Sequence, residues 1–250
     1  MIFNLLYSGL PMNITIGLLI LQLVCVVLAL TVHEFAHGYA ADKLGDSNAR
    51  DQGRLTLNPL AHIDPVGFLM MLLVGFGWAK PVPVNIYRMK NPKKGLAITS
   101  LAGPAINLCL ALVCGIAVGA LDRFGYNPLM LFWEMGLSDT VSPPAVLSYT
   151  LYIMMLLNVG LALFNLIPLP PLDGSNILVS FLKGNAAAKY MQVRYYTRYI
   201  FLGIMVISML ADRITLFAYL DHYIWLPFEW LRETLCTLFI RLGELIFSFI

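Results

Sequence analysis

Five long apolar runs constrain this chain more than any other feature of its sequence. They occupy residues 14–32, 95–121, 145–169, 199–220 and 234–250, and the first contains no charged side chain. A helix needs about 20 mainly apolar residues to cross the hydrocarbon core of a bilayer. The whole chain is 59% hydrophobic and only 12% charged, about half the charged fraction that is usual in soluble domains. We therefore expect an integral membrane protein, with no segment left over for a soluble domain.

The fold that these runs predict is an all-α polytopic bundle of about five transmembrane helices in a single domain, residues 1–250. The apolar run at 66–79 is too short to cross a bilayer, so we expect a re-entrant or interfacial segment there. Residues 53–58 and 80–85 alternate polar and apolar side chains, which predicts a small membrane-associated β-hairpin. No basic segment precedes the first apolar run, and we therefore expect no cleaved signal peptide.

Basic residues are concentrated in two segments that connect the apolar runs. Twelve of the 16 Lys and Arg residues lie there, eight in residues 41–98 and four in residues 183–198, whereas residues 122–144 hold only Arg123. The positive-inside rule then places both basic segments in the cytoplasm and the N-terminus outside the cell membrane. A net charge of +2 gives no indication of a nucleic acid partner.

A group of ionisable residues lies at the end of the first apolar run. Residues 33–37 read His-Glu-Phe-Ala-His, the H-E-x-x-H pattern in which two histidines one helical turn apart bind zinc and the glutamate acts as general base. Ionisable groups at membrane depth are costly and usually functional. The histidines precede Lys43 by ten and six residues, which puts them roughly 9–15 Å below a cytoplasmic anchor. This predicts a zinc hydrolase near the cytoplasmic side; the alternative is a buried, hydrogen-bonded histidine pair.

A catalytic zinc takes three protein ligands, so one more must come from elsewhere in the chain. Asp173 lies in FNLIPLPPLDGSN, where three prolines interrupt an apolar helix. It precedes Lys183 by ten residues and is therefore expected at the depth of His33. The alternatives are that Asp173 caps the next helix, or that His62, in an interfacial loop, is the ligand. His222 is expected on the outer side, at the wrong depth.

Three segments together resemble the site-2 protease family of intramembrane zinc metalloproteases: HEFAH at 33–37, AGPAIN at 102–107 and NLIPLPPLDG at 165–174. GRLTLNPLAHIDPVG at 53–67 and WAKPVPVN at 78–85 extend the similarity. The resemblance implies a metalloprotease core at 14–182, followed by additional C-terminal transmembrane helices at 183–250. It is closest in form to the minimal branch of the family, which has no added soluble regulatory domain.

The resemblance also implies roles for individual residues. One Zn²⁺ per chain would be bound by His33, His37 and Asp173, with Glu34 activating the water. Asn165 would help to hold the substrate and Asn107 would line the site, although both could instead be hydrogen bonds between helices. The implied substrate is a transmembrane protein that is cut in or near its membrane segment, in contact with membrane lipid. The sequence does not indicate an oligomeric state.

The segment Leu55-Thr56-Leu57 is a further candidate for substrate binding. An edge strand here could pair with an unwound substrate and replace the hydrogen bonds that the substrate loses on leaving its helix. The alternative is an amphipathic hairpin that lies on the bilayer surface.

Two other classes of protein also remain open at this point. One is a secondary transporter, because proline-broken spans around charges also mark transport sites, and the other is a zinc-binding scaffold without catalytic activity.

Overall fold

A computed structural model describes residues 12–74, 77–128, 142–211 and 215–248 of the chain. Nearly all of its regular structure is helical. In chain order the helices are α1 (Met12–Lys43), α2 (Asn48–Asp51), α3 (Pro65–Val74), α4 (Pro92–Arg123), α5 (Pro143–Leu166), α6 (Asp173–Phe181), α7 (Gly184–Leu210) and α8 (Thr215–Ile246). Short 3₁₀ turns cover Pro59–Ala61 and Ile86–Arg88.

Three of these helices, α1, α4 and α5, are long and apolar enough to cross a membrane. They correspond to the first three predicted runs, so the prediction of a helical membrane protein is confirmed. The fourth and fifth predicted spans are not confirmed. They fall on α7 and α8, and the fourth run crosses residues 212–214, which lie outside the described residues. Within its 32 residues α8 carries six charged side chains: Asp221, Glu229, Arg232, Glu233, Arg241 and Glu244.

Helix α4 is the centre of the bundle. It packs against α1 on one side, against α5 and α8 on others, and against α6 near the cytoplasmic end that the charges predict. One apolar core cluster joins Cys114 of α4 to Met155 and Val159 of α5 and to Phe239 of α8. Because α4 contacts both α1 and α6, it can hold the two segments that carry the predicted metal ligands.

The predicted β-hairpin is absent from the described part of the chain. In its place there is a single isolated antiparallel bridge, between Ile63 and Ala79. The two prolines of residues 80–85 supply no backbone N–H, and this limits the pairing that the second segment can make. The short helix α3 occupies part of the predicted re-entrant or interfacial run, and its ten residues are too few to span a bilayer.

The first predicted strand is held in another way. The N–H groups of Arg54 and Leu55 both donate to the carbonyl oxygen of Ala49, at 2.7 and 3.2 Å, so they are not available for a strand ladder. The Arg54 Nη2 instead donates to the carbonyl oxygen of Lys80 at 2.8 Å. Residues 53–58 and 77–85 are therefore adjacent segments that a side chain joins, and not a hairpin.

The predicted break after α5 is confirmed. Helix α5 ends at Leu166 and α6 begins at Asp173, with the three prolines between them. The Tyr190 hydroxyl of α7 donates to the carbonyl oxygen of Pro168 at 2.9 Å, which satisfies one of the carbonyl groups that the break exposes. Leu172 occupies the N-cap position of α6 without a side-chain hydrogen bond. Asp173 is thus the first helical residue and not the cap.

Candidate metal centre

His33 and His37 lie one turn apart on α1 and face the same point. Their Nε2 atoms are 3.0 Å apart. On the opposite edge of each ring, the Nδ1 atom of His33 is 2.6 Å from Asn107 Oδ1 and that of His37 is 2.7 Å from the carbonyl oxygen of Thr99. Both acceptors belong to α4, which therefore sets the orientation of the two rings.

Asp173 completes the group from the start of α6. Its Oδ2 atom is 3.2 Å from the Nε2 atom of His33 and 3.2 Å from that of His37. Gly174 allows this approach: a Cβ at that position would lie 2.2 Å from the carbonyl oxygen of Leu166. The backbone of α6 therefore packs directly against the end of α5, and the prolines between them place the carboxylate beside the histidines.

Hydrogen bonds around the imidazoles determine which atoms face this centre. Asn107 donates from Nδ2 to the carbonyl oxygen of Ala29 and to Asn158 Oδ1, so its Oδ1 is the atom that faces His33. Since that oxygen and the Thr99 carbonyl can only accept, each imidazole donates from Nδ1, and the neutral ring presents a lone pair at Nε2. Three lone-pair atoms then converge with no proton between them. The lone pairs of these three atoms repel one another when nothing lies between them, and a cation at their centre would turn this repulsion into attraction.

The separations of these atoms fit zinc. Ligand atoms around a tetrahedral zinc lie about 3.3 Å apart when each is about 2.0–2.1 Å from the metal. The three pairs here are separated by 3.0, 3.2 and 3.2 Å. Two imidazole nitrogens with one carboxylate oxygen are also a ligand set that catalytic zinc sites use, and each imidazole has the second hydrogen bond that orients a metal-binding ring.

Gly103 of α4 makes room for the histidine rings. A Cβ at this position would lie 2.6 Å from His33 Cε1 and 2.6 Å from His37 Nε2. These distances are far below van der Waals contact, so any larger residue would displace the rings. The glycine therefore allows α4 to pack directly behind the face of α1 that carries the two histidines.

Glu34 lies on the adjoining face of α1. Its Oε2 atom accepts a hydrogen bond from the backbone N–H of Val82 at 2.9 Å, and Val82 stands between two prolines, so this N–H is the one donor of residues 81–83. One turn further along, a Cβ at Gly38 would contact Val82 at 3.1 Å and Leu55 at 3.5 Å. Leu55 of residues 53–58 and Val82 of residues 77–85 thus lie against the face of α1 that carries Glu34.

The other predicted site residues lie in different surroundings. His62 is buried and its Nε2 atom is 2.8 Å from the carbonyl oxygen of Thr56, away from the three converging ligands. The ring of His222 contacts that of Tyr223 in α8. Asn165 donates from Nδ2 to the carbonyl oxygen of Leu161 in its own helix, at 3.0 Å. Among the described residues, only His33, His37 and Asp173 form a group that could hold a metal ion.

Residues 55–57 adopt no strand, and each has a different environment. Leu55 packs toward Gly38, and Leu57 is exposed. Thr56 accepts a hydrogen bond at Oγ1 from the backbone N–H of Asn58 at 3.1 Å. The structure therefore places Leu55 near the Glu34 face of α1, while Thr56 and Leu57 belong to the turn that follows.

The sequence analysis missed Asn158, Thr99 and Val82. Asn158 is fully buried in α5; it accepts from Asn107 and donates to the carbonyl oxygen of Met154 at 2.8 Å. A single asparagine in the middle of an apolar run is a signal that could have identified it, because a polar side chain at membrane depth requires a partner. Thr99 and Val82 act through their backbone, for which side-chain identity gives no signal.

Comparisons with known proteins identify the family of this chain. The model of the family described as Peptidase family M50 matches residues 21–210. Over 183 residues the chain is 39% identical to "Putative zinc metalloprotease YwhC" of Bacillus subtilis, an alignment that covers 73% of this chain and 78% of that protein. It is 32% identical over 169 residues to the protein of Mycolicibacterium smegmatis named "Putative zinc metalloprotease Rip2", covering 65% of this chain and 58% of Rip2. "Putative zinc metalloprotease MJ0611" of Methanocaldococcus jannaschii is 29% identical over 167 residues, covering 66% of this chain and 73% of that protein. No solved structure gives a significant match.

The family match spans the whole region in which the metal centre is built. It includes the histidine pair on α1, the orienting residues on α4 and the aspartate at the start of α6. The relatives are named as zinc metalloproteases, which agrees with the ligand set and its spacing. The chain therefore belongs to Peptidase family M50, the site-2 protease family, and is a zinc metalloprotease of the membrane.

Proposed function

We propose that this protein is an intramembrane protease that hydrolyses peptide bonds in or near the transmembrane segments of other membrane proteins. The observation that carries the proposal is the convergence of two imidazole nitrogens and one carboxylate oxygen at 3.0–3.2 Å at the end of an apolar membrane helix. A metal centre built at that position, with a glutamate beside it, is suited to substrates that arrive through the bilayer. Cleavage in this setting corresponds to regulated intramembrane proteolysis.

The roles follow from the chemistry of the residues. His33, His37 and Asp173 would hold one zinc ion per chain, and zinc bound there would supply a more acidic water molecule and a Lewis acid for the scissile carbonyl. Glu34 takes a proton from the attacking water and transfers it to the leaving amine. The N–H of Val82 holds one oxygen of the Glu34 carboxylate and so keeps this group in a defined orientation.

The proposed topology places the N-terminus outside the cell membrane and the metal centre near the cytoplasmic side. It rests on the eight basic residues between 41 and 98 and the four between 183 and 198, which the positive-inside rule assigns to the cytoplasm. In this arrangement residues 14–182 form the protease core of a single membrane domain. Helices α7 and α8 add the fourth and fifth spans.

The substrate is proposed to bind in extended form beside Glu34. A helical peptide bond is shielded by its own hydrogen bonds, so the substrate must unwind and needs new partners in a low-dielectric site. Leu55 and Val82 place residues 53–58 and 77–85 against the Glu34 face of α1. The N–H groups of Arg54, Leu55 and Val82 are already engaged, so the remaining backbone groups of the two segments are proposed to pair with the substrate. Asn165, in the last turn of α5, is proposed to contact the substrate from the other side.

A proline at position 56 tests the binding of substrate by residues 53–58. Thr56→Pro should lower cleavage strongly and leave zinc content unchanged, because Pro fixes the backbone of this segment and removes a donor. Cysteines at Leu55 or Leu57 should form cross-links with a cysteine near the scissile bond of a trapped substrate. Normal cleavage by Thr56→Pro together with no cross-link would show that this segment is only a membrane anchor.

The protease mechanism itself is tested with Glu34→Gln. This variant keeps the shape of the side chain and removes the base, so cleavage of a reporter transmembrane segment should fall by roughly 10²–10⁴-fold while zinc content and thermal stability stay at the wild-type level. Glu233→Gln, the same chemical change at an exposed position of α8, is the matched control and should cleave normally. Wild-type cleavage by Glu34→Gln would refute the mechanism, and a zinc scaffold without catalytic activity would show no cleavage by any variant.

The natural substrates can be sought with the same variant. In cells that produce Glu34→Gln in place of the wild-type enzyme, the membrane-bound precursors of the substrates should accumulate. Quantitative proteomics of membranes from the two strains would identify them. A precursor that accumulates equally with Glu233→Gln is not a substrate.

A further inference from the structure

Residues 80–85 carry the backbone N–H that contacts Glu34, and they belong to no helix or strand. Two of the six residues are prolines, which have no N–H, so the segment has few groups with which to form regular structure. Within the described residues, one backbone–backbone hydrogen bond joins it to another segment, from the N–H of Lys80 to the carbonyl oxygen of His62 at 2.9 Å. The position of Val82 must therefore depend largely on side chains.

Arg54 holds the first end of this segment. Its Nη2 atom donates to the carbonyl oxygens of Lys80 and Pro81, at 2.8 and 3.3 Å. The Pro81 carbonyl and the Val82 N–H belong to one planar, trans peptide unit, so they point in opposite directions. The guanidinium of Arg54 lies on one side of this unit and the carboxylate of Glu34 on the other. A group that fixes the Pro81 oxygen therefore also fixes the direction of the Val82 N–H.

Asp46 holds the other end of the segment. It lies between α1 and α2 and is fully buried. Its Oδ1 atom accepts the N–H of Asn48 at 3.2 Å, which closes a local turn, and its Oδ2 atom accepts the N–H of Asn85 at 2.5 Å. A buried carboxylate is costly unless its oxygens are hydrogen-bonded. One of the two bonds that satisfy Asp46 thus depends on residues 80–85 staying in place.

We propose that Arg54 and Asp46 are positioning residues that hold the peptide unit of Pro81 and Val82 against the carboxylate of Glu34. The inference rests on the proposed function, because it takes Glu34 as the base. Arg54 polarises the peptide unit from its carbonyl side, which strengthens the N–H as a donor to Glu34. That N–H engages one carboxylate oxygen and leaves the other for the proton of the attacking water.

The first experiment measures kcat and KM of the purified full-length enzyme in lipid nanodiscs, with a reporter transmembrane segment as substrate. Arg54→Met keeps a side chain of similar length and removes its donors. Its kcat should fall roughly 10–100-fold while KM stays within about threefold, because a misplaced base slows the chemical step. Zinc content should stay at the wild-type level. Arg88→Met, the same change at an exposed position, should keep both constants. An unchanged kcat in Arg54→Met, or a rise in KM alone, would overturn the proposal.

Conservative variants separate the hydrogen bonds from the bulk of the side chains. Arg54→Lys keeps a cationic donor, so its kcat should be several-fold above that of Arg54→Met, and equal values would overturn the role of these bonds. Asp46→Asn keeps the shape of the side chain but has one acceptor oxygen for two N–H donors, and its kcat should also fall. Asp51→Asn, the same change at an exposed position of α2, should keep the wild-type kcat. A folded Asp46→Asn enzyme with the wild-type kcat would remove Asp46 from the proposal.

Amide hydrogen exchange measures the contact at Val82 without catalysis. The chain contains three Pro–Val pairs, at 65–66, 81–82 and 83–84, so isotope labelling of proline carbonyl carbons and valine nitrogens restricts an NMR spectrum to three amides. The Val82 signal is the one that Val82→Leu removes. In Arg54→Met and in Asp46→Asn the Val82 amide should exchange roughly tenfold faster than in the wild type, whereas the amide of Val66 should not change. Wild-type exchange at Val82 in both folded variants would overturn the proposal.

The variant Glu34→Ala shows whether the effect acts through the proposed base. It removes the acceptor of the Val82 N–H and should itself accelerate exchange at Val82. Arg54→Met should then add little, because both substitutions break the same chain of hydrogen bonds. Full additivity of the two effects would show that Arg54 only supports the segment and would overturn the proposal. If the enzyme cleaves no reporter, the proposed function fails, and the exchange rates alone then decide whether Arg54 and Asp46 hold Val82 on Glu34.

Discussion

Replacement of Asn107 by leucine should weaken zinc binding without removing any metal ligand. Asn107 is fully buried and its Oδ1 atom is 2.6 Å from His33 Nδ1, while its Nδ2 donates to Asn158 and to the carbonyl oxygen of Ala29. Leucine has a similar size and no polar atoms. The variant therefore leaves His33 as a metal ligand but removes the hydrogen bond that orients its ring.

The expected loss can be estimated from these contacts. Loss of an orienting hydrogen bond to a metal-binding histidine costs about 10–100-fold in metal affinity, which corresponds to about 1.4–2.7 kcal/mol. The variant also leaves Asn158 Oδ1 and the carbonyl oxygen of Ala29 without this donor, so the metal-free protein should be less stable by about 1–3 kcal/mol for each buried group. The two effects are separable, because the first depends on zinc and the second does not.

The assay is a competitive zinc titration of the metal-free protein with a chromophoric chelator, together with thermal unfolding in the presence and absence of zinc. Asn158→Leu leaves the pair of His33 and Asn107 intact and should reduce stability more than zinc affinity. Asn165→Leu, which removes a hydrogen bond within α5, is the matched control and should bind zinc normally. Unchanged zinc affinity in folded Asn107→Leu would show that Asn107 only joins the helices.

Three further predictions concern the metal centre and the topology. Gly103→Ala places a Cβ 2.6 Å from both histidine rings, so zinc content should fall strongly and stability by about 1–3 kcal/mol; wild-type zinc content would contradict the packing. Asp173→Ala should lose most of its zinc by elemental analysis whereas His222→Ala should not, and equal zinc in the two variants would remove Asp173 from the site. A cysteine at Lys90 should be labelled only from the cytoplasm and one at Ser138, outside the described residues, only from outside; the reverse pattern would overturn the proposed orientation.

The convergence of the three candidate metal ligands could be predicted because the pattern behind it is local. Two histidines four residues apart on a helix share a face whatever surrounds them, and the Pro-rich interruption identifies Asp173 as a deep carboxylate. Apolar length similarly predicts α1, α4 and α5. These signals depend only on residue type and spacing, and the structure agrees with each of them.

The remaining features depend on contacts that residue type does not specify. Residues 53–58 have the alternation of a strand, but the N–H groups of Arg54 and Leu55 donate to the carbonyl oxygen of Ala49 in α2, and this competing turn prevents a ladder. Asn107 hydrogen-bonds to His33 on another helix, whereas Asn165 hydrogen-bonds within its own helix. The rotation of each helix in the bundle decides between these two outcomes. Periodicity cannot supply that rotation.

Two adjoining faces of α1 carry different groups of the candidate site, and different parts of the chain pack against each face. One face presents His33 and His37 to α4 and α6, where buried amide and carbonyl groups fix the rings and close packing at Gly103 excludes other side chains. The adjoining face presents Glu34 to residues 77–85, where the N–H of Val82 donates to its carboxylate. Under the proposed function, a substrate would meet the face that carries the histidines on one side and residues 77–85 on the other. In the proposed mechanism the peptide bond would have to lie between these two faces, within reach of both Glu34 and the converging Nε2 atoms of His33 and His37.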